Sequence, residues 1–208
     1  MWSLLDPAQQ TSHYRSMKES ASKHQSFRNS FLIATPNMGD PRFRFAVIYI
    51  TSHDRDGAMG LIINKGKSGL LISDLLDQVG IDGDVRVADT SVLNGGPVDI
   101  DRGFVLHSSD YFKPESSLKI SDTLSLTSTK DVLESLVSDD HPKNALLAVG
   151  YAGWGAGQLE KEIAQNSWLV KDADDDLVFS QDLEGKWAKA LTDMGINPSS
   201  LSQSGGRA

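Results

Sequence analysis

An α+β fold is predicted for this chain by three observations. Short runs rich in β-branched and aromatic residues recur along it, helical patterns are fewer, and the two do not alternate as a parallel βαβ sheet would require. About eight strands and four helices can be placed, with neither an internal repeat nor a linker between residues 27 and 196.

The first strand is Ser30–Thr35, closed by Pro36 and the loop-forming Asn37–Pro41. Phe43–Thr51 follows, its stretch Ala46–Ile50 apolar enough to be covered on both faces. His53–Gly57 reads as a turn and Ala58–Asn64 as its hairpin partner. Ser73 can cap a short helix through Val79 that buries Leu75, Leu76 and Val79. Asn94–Pro97 is a tight turn, Gly103–His107 a strand, and Lys119–Leu126 alternates weakly, as an edge strand does. Ser128 and Asp131 have capping-box spacing before Val132, Leu133, Leu136 and Val137, and that helix must stop before Pro142.

Ala145–Val149 reads as a buried strand leading into the glycine-rich Gly150–Glu160, which a helical pattern leaves through Ala156, Leu159 and Ile163. Asp172–Asp176 reads as a solvated connection between Trp168–Val170 and a strand at Leu177–Ser180. A last helix runs from about Asp182 to Met194, with Gly195 as its cap and Asn197-Pro198 as its end. The expected organisation is an extension over 1–26, one globular domain over 27–196 and a tail over 197–208.

Composition narrows the function classes. The 208 residues carry a net charge of -8 and no cysteine, which removes disulfides, thiolate catalysis and cysteine-ligated metals. Residues 1–30 hold Arg15, Lys18, Lys23 and Arg28 against Asp6 and Glu19, a net +2, so the remainder stands at -10. An acidic body without a Lys/Arg-rich helix argues against direct DNA binding. No apolar run approaches the roughly 18–20 residues of a membrane-spanning helix, and a cytoplasmic location without membrane attachment is expected.

The glycine corner is the main candidate site. A strand, a glycine turn and a helix start can offer N–H groups to a small anion. Gly153, Trp154, Gly155, Gly157 and Glu160 are its candidate ligand-binding residues, although the same glycines also suit close packing around Trp154. The dinucleotide fingerprint fails, because its third glycine would fall at Gln158. Gly60–Ser68 places five residues, not four, before Gly66-Lys67-Ser68, so no P-loop is formed. A calcium loop starting at Asp172 breaks at Leu177 and Leu183. His53, Asp56 and His107 could join Glu160 in one cleft, which is what an enzyme reading requires. No metal-ligand spacing and no G-x-S-x-G elbow occur, and neither a metal nor a cofactor is expected.

Phe31–Ala34, Asp40-Pro41 with Phe43, His53, Gly57–Asn64, Gly95–Val98, Arg102–His107 and Gly150–Glu160 with Asn166 and Trp168 stand in the order found in one bacterial family. Through these stretches, about residues 27–206 resemble the AlgH/YqgE family. Lys65-Gly66 departs from it, where a basic residue followed by proline is usual. The resemblance implies a mixed, bifurcated sheet curled into a pseudo-barrel and flanked by helices. It also implies a transcriptional-regulator label, with no catalytic residues to carry over. Two readings follow. One is a regulatory or binding protein acting through a protein partner or a small ligand. The other is a metabolite- or nucleotide-binding enzyme using the glycine corner with His53 and His107.

Overall fold

The computed structural model describes residues 26–202. The extension expected over 1–26 lies outside them except for Ser26, as do residues 203–208 of the expected tail. Among the described residues, ten strands form one curled sheet: β1 (Ser30–Ala34), β2 (Val47–Asp54), β3 (Gly57–Ile62), β4 (Gly66–Leu71), β5 (Ser91–Asn94), β6 (Val98–Ser108), β7 (Ser117–Lys119), β8 (Leu124–Thr127), β9 (Ala145–Gly155) and β10 (Trp168–Asp172). Six short α-helices accompany them: α1 (Ile72–Gln78), α2 (Lys130–Ser135), α3 (Gln158–Ala164), α4 (Asp175–Phe179), α5 (Lys186–Asp193) and α6 (Pro198–Ser202). The α+β class and the bifurcated sheet are both present.

The main path runs β10-β1-β2-β3-β9-β6-β8-β7, with β5 and then β4 branching from β9. Strand β9 makes the branch because one of its edges serves two partners. Its first half pairs in parallel with β5, Leu93 opposite Ala148, and its second half pairs antiparallel with β3, Gly60 opposite Ala152. The switch falls at Gly150, whose φ of +74° few side chains adopt. There the backbones close in. A Cβ on Gly150 would stand 2.5 Å from the Gly96 carbonyl oxygen, and one on Gly96 2.1 Å from the Tyr151 carbonyl carbon. Glycine is therefore needed to split the sheet.

Phe31–Ala34 of β1 and Val47–Ile50 of β2 are unbroken apolar runs because both faces are covered there. Phe31, Ile33, Val47 and Tyr49 join one buried cluster, under α4 and α5, which contribute Leu177, Val178, Trp187 and Leu191. Leu32, Ala34, Ile48 and Ile50 join another, with Trp154, Leu159 and Trp168. A third cluster lies under α1 and α2, built from Ile72, Leu76, Val105, Val132 and Leu136. The curl brings the far end of the sheet back to its start: Arg28 donates to the carbonyls of Lys119 and Ile120, and Thr123 to Asp175. A half-barrel results.

Several local expectations are corrected. Leu177–Ser180 is not a strand but lies at α4, because Asp174 accepts the Leu177 N–H at 2.8 Å and Asp175 and Asp176 occupy the first turn. A capped, acidic N-terminus outweighs four apolar residues that suit either state. Lys119–Leu126 is two strand ends around a turn in which Ser121 Oγ accepts from the Thr123 and Leu124 amides. Ser73 does not cap α1; Asp74 reaches back to the Leu71 N–H, and Val79 is exposed. Thr129, not Ser128, precedes α2. The last long helix starts at Lys186 rather than Asp182, whose carboxylate instead accepts the Gly185 N–H. The second strand starts at Val47, after a 3-10 turn at Pro41–Phe43, and β4 and β5 were not anticipated. Residues Pro198–Ser202, expected as tail, form α6, with Leu201 against the first cluster.

Candidate functional site

Gly150–Gly155 does not form a turn; it continues β9, and the sharp corner is delayed to Gly157, whose φ of +69° starts α3. Strand β3 lies beside it, Ala58 opposite Trp154, at the end of the β2–β3 hairpin. His53 is accordingly a buried residue of β2 rather than a turn residue, while Asp56 stands exposed at the hairpin tip.

The His53 ring is held from three sides. Its Nδ1 accepts the Phe27 N–H at 2.9 Å, its Nε2 lies 3.2 Å from Glu160 Oε1, and Phe27 stacks on it at 5.2 Å. A backbone N–H can only donate, so Nδ1 carries the lone pair and the ring proton sits on Nε2, facing Glu160. The lone pair that a general base would use is already engaged.

Sequence reasoning did not anticipate the polar centre beside this pair. Glu162, one turn along α3, accepts both indole N–H groups, from Trp154 at 2.9 Å and Trp168 at 2.8 Å, on Oε2. Its Oε1 accepts the Gln158 amide at 2.9 Å, and Gln158 Oε1 in turn accepts the Gly155 N–H. The Gly155 amide is thus not on offer to an anion, and α3 is only seven residues long. The spacing of Gln158 and Glu162 on one helix face was legible; the return of Trp168 to that face was not.

In front of these residues lies a cleft of about 430 Å³, bordered by the Pro41–Phe43 turn and by Pro97 and Val98. Phe43 packs edge-on against Trp168, and Arg42 forks onto Asp40 with contacts of 2.6–3.0 Å. The hydrogen bonds from Arg42 hold the Asp40 carboxyl below its usual range. Gly153 and Trp154 are shared with a neighbouring depression that includes Asp56. Gly153 and Trp154 border a concave site, whereas Gly155, Gly157, Glu160 and His53 do not line it.

His107 does not join them. It pairs with Ala145 at the opposite end of β9, nine residues from Trp154, or roughly 30 Å of extended strand. It is fully buried, with Nδ1 3.0 Å from the Ser108 carbonyl and Nε2 2.9 Å from Thr127 Oγ1. Burial pushes its pKa below the ordinary histidine value. The single cleft uniting His53, Asp56, His107 and Glu160 is not formed, because strand register sets the two histidines at opposite ends of β9. Among the described residues, no group of three or more His, Asp or Glu side chains is placed to hold a metal ion. Among the described residues, no helix is long and apolar enough to cross a membrane.

Comparison with known proteins places this geometry. The AlgH-like family model, DUF179, matches residues 31–199. A UPF0301 protein of Ruegeria pomeroyi is 51% identical over 178 residues, 85% of this chain and 96% of that one. A UPF0301 protein of Caulobacter vibrioides is 45% identical over 178 residues, covering 85% and 91%. The solution structure of the AlgH protein from Pseudomonas aeruginosa superposes with a TM-score of 0.71 at 39% identity, covering 90% of this chain and 98% of that one. A crystal structure from Corynebacterium diphtheriae, 17% identical with a TM-score of 0.65, shares the fold. The split at Gly150, the curled sheet and the cleft against α3 are thus features of a chain that belongs to the AlgH-like family.

Proposed function

We propose that this protein is a non-catalytic binding protein of regulatory type, acting in the cytoplasm through a protein partner or a small anionic ligand held in the cleft beside α3. The observation that carries this reading is the state of the polar groups there. Glu162 is occupied by two indoles and an amide, and His53 spends its lone pair on the Phe27 N–H. His107, the other half of an acid–base pair, is buried elsewhere. What the cleft offers is recognition: an aromatic wall from Phe43 and Trp154, and the largely exposed guanidinium of Arg42. An incoming carboxylate can displace Asp40 from that guanidinium, since both present the same planar pair of oxygens. The net charge of -8 argues against a nucleic-acid backbone as that ligand.

The test pairs native mass spectrometry with the Arg42→Glu substitution. Purified wild-type protein should retain an added mass or a partner that Arg42→Glu, with unchanged circular dichroism, loses. Turnover of a metabolite that His53→Ala abolishes would overturn the reading.

A further inference from the structure

A second cavity, of about 570 Å³, lies between α4 and the start of α5, far in sequence from the cleft and independent of its reading. Four carboxylates border it, from Asp174, Asp176, Asp182 and Asp193, together with Ser180 and two lysines. Three of the carboxylates already have partners: Asp174 pairs with Lys171, Asp193 with Lys189, and Asp182 accepts the Gly185 N–H. Lys186 differs from every other described lysine. It is 1% exposed, and its Nζ donates to one acceptor, the Val178 carbonyl at 2.7 Å. No ion pair compensates its charge. An ammonium ion so placed has lost its hydration without gaining a counter-ion, so the neutral amine is favoured. Burial brings it down to about 8.

We propose that Lys186 is the amine of a carbonyl-binding site, where a small neutral hydroxy-aldehyde condenses with Nζ to give a reversible imine. The Nζ lone pair forms the C–N bond while the carbonyl π pair moves to oxygen. Both amine protons then leave with that oxygen as water, and the C=N bond forms; hydrolysis reverses the step. No oxidant, reductant or metal enters the balance. A neutral imine removes the uncompensated charge from the interior, which favours the adduct over the buried ammonium. Free acceptor positions on Asp176, Asp182 and Ser180 suit hydroxyl donors, whereas the acidic border repels keto acids and phosphorylated aldehydes. The cavity volume lies within the range of small-ligand sites.

The experiment treats the full chain with glyceraldehyde and sodium cyanoborohydride, which fixes any imine as a secondary amine, and maps the labelled peptides with time. At pH 7, Lys186 should be alkylated at least tenfold faster than the exposed Lys130 and Lys143, with a rate half-maximal near pH 8. Labelling of Lys186 at or below the rate of those surface lysines overturns the proposal. Lys186→Met, if its circular dichroism is retained, should lose the fast phase; a fast phase that persists in it also overturns the proposal. The wild-type rates decide the matter even where that variant fails to fold.

Discussion

Replacing Glu162 by alanine tests the centre of the cleft most directly. The substitution takes away the acceptor of two indole N–H groups whose residues are 7% and 2% exposed, Trp154 and Trp168. Each bond is charge-assisted, and such bonds contribute about 1.5–3 kcal/mol net. The full loss for two would reach about 3–6 kcal/mol. Glu162 borders the cleft, however, so truncation admits water to part of the vacated space and recovers some of that loss. We expect a destabilisation of about 2–4 kcal/mol, and for a chain of this size a fall in Tm of about 5–15 °C. Glu162→Gln keeps one oxygen but turns an NH2 towards either the indoles or the Gln158 amide, so its loss should be about half as large. Urea unfolding followed by tryptophan fluorescence and far-ultraviolet circular dichroism gives both values. If Glu162→Ala stayed within about 0.5 kcal/mol of wild type, the bridging role assigned to this carboxylate would be wrong.

Two further outcomes are expected. Gly150→Ala combines a φ of +74° with a backbone oxygen 2.5 Å from the new Cβ, and should cost more than about 3 kcal/mol or abolish folding, whereas Gly69→Ala, at a φ of +71° in open space, should cost only about 1–2 kcal/mol in urea unfolding. Equal losses would remove the argument from backbone contact at the branch point. Lys186 has its pKa lowered from 10.5 to about 8, so between those values the unfolded chain binds more protons and stability rises with pH. The rise from this group should be about 2 kcal/mol between about pH 7.5 and 9.5, below the range in which the buried Tyr49 titrates, and Lys186→Met should flatten it. A stability profile unchanged by that substitution would show that the amine is not desolvated.

Burial on both faces was legible wherever it left a local trace. Ala46–Ile50 and Ala145–Val149 are nearly continuous apolar runs, and both became strands with no solvated face. The β2–β3 hairpin was legible from its polar turn and glycine, although the turn itself shrank to Arg55 and Asp56. Leu177–Phe179 failed for a physical reason: three consecutive aspartates before it are a helix-capping signal, and the apolar run alone could not arbitrate. His53 failed differently. A histidine next to Asp54 looks solvent-facing, yet the ring is buried by Phe27, whose approach from 26 residues upstream has no periodic signature.

The sequence by itself determined the α+β class, the acidic character, the absence of thiol chemistry and the position of the glycine-rich segment against a buried strand. These are properties of composition and of short-range period, which the chain carries whatever its partners. Only the tertiary structure decided that Gly150 splits a sheet instead of turning into a helix, and that Trp154 and Trp168 share Glu162. It also decided that His107 stands at the far end of β9 from His53. Each of those outcomes depends on strand register, and one residue of slip would turn every side chain to the other face. Register is set by packing across the whole sheet, where the contacts that matter join residues as distant as Ala34 and Trp187.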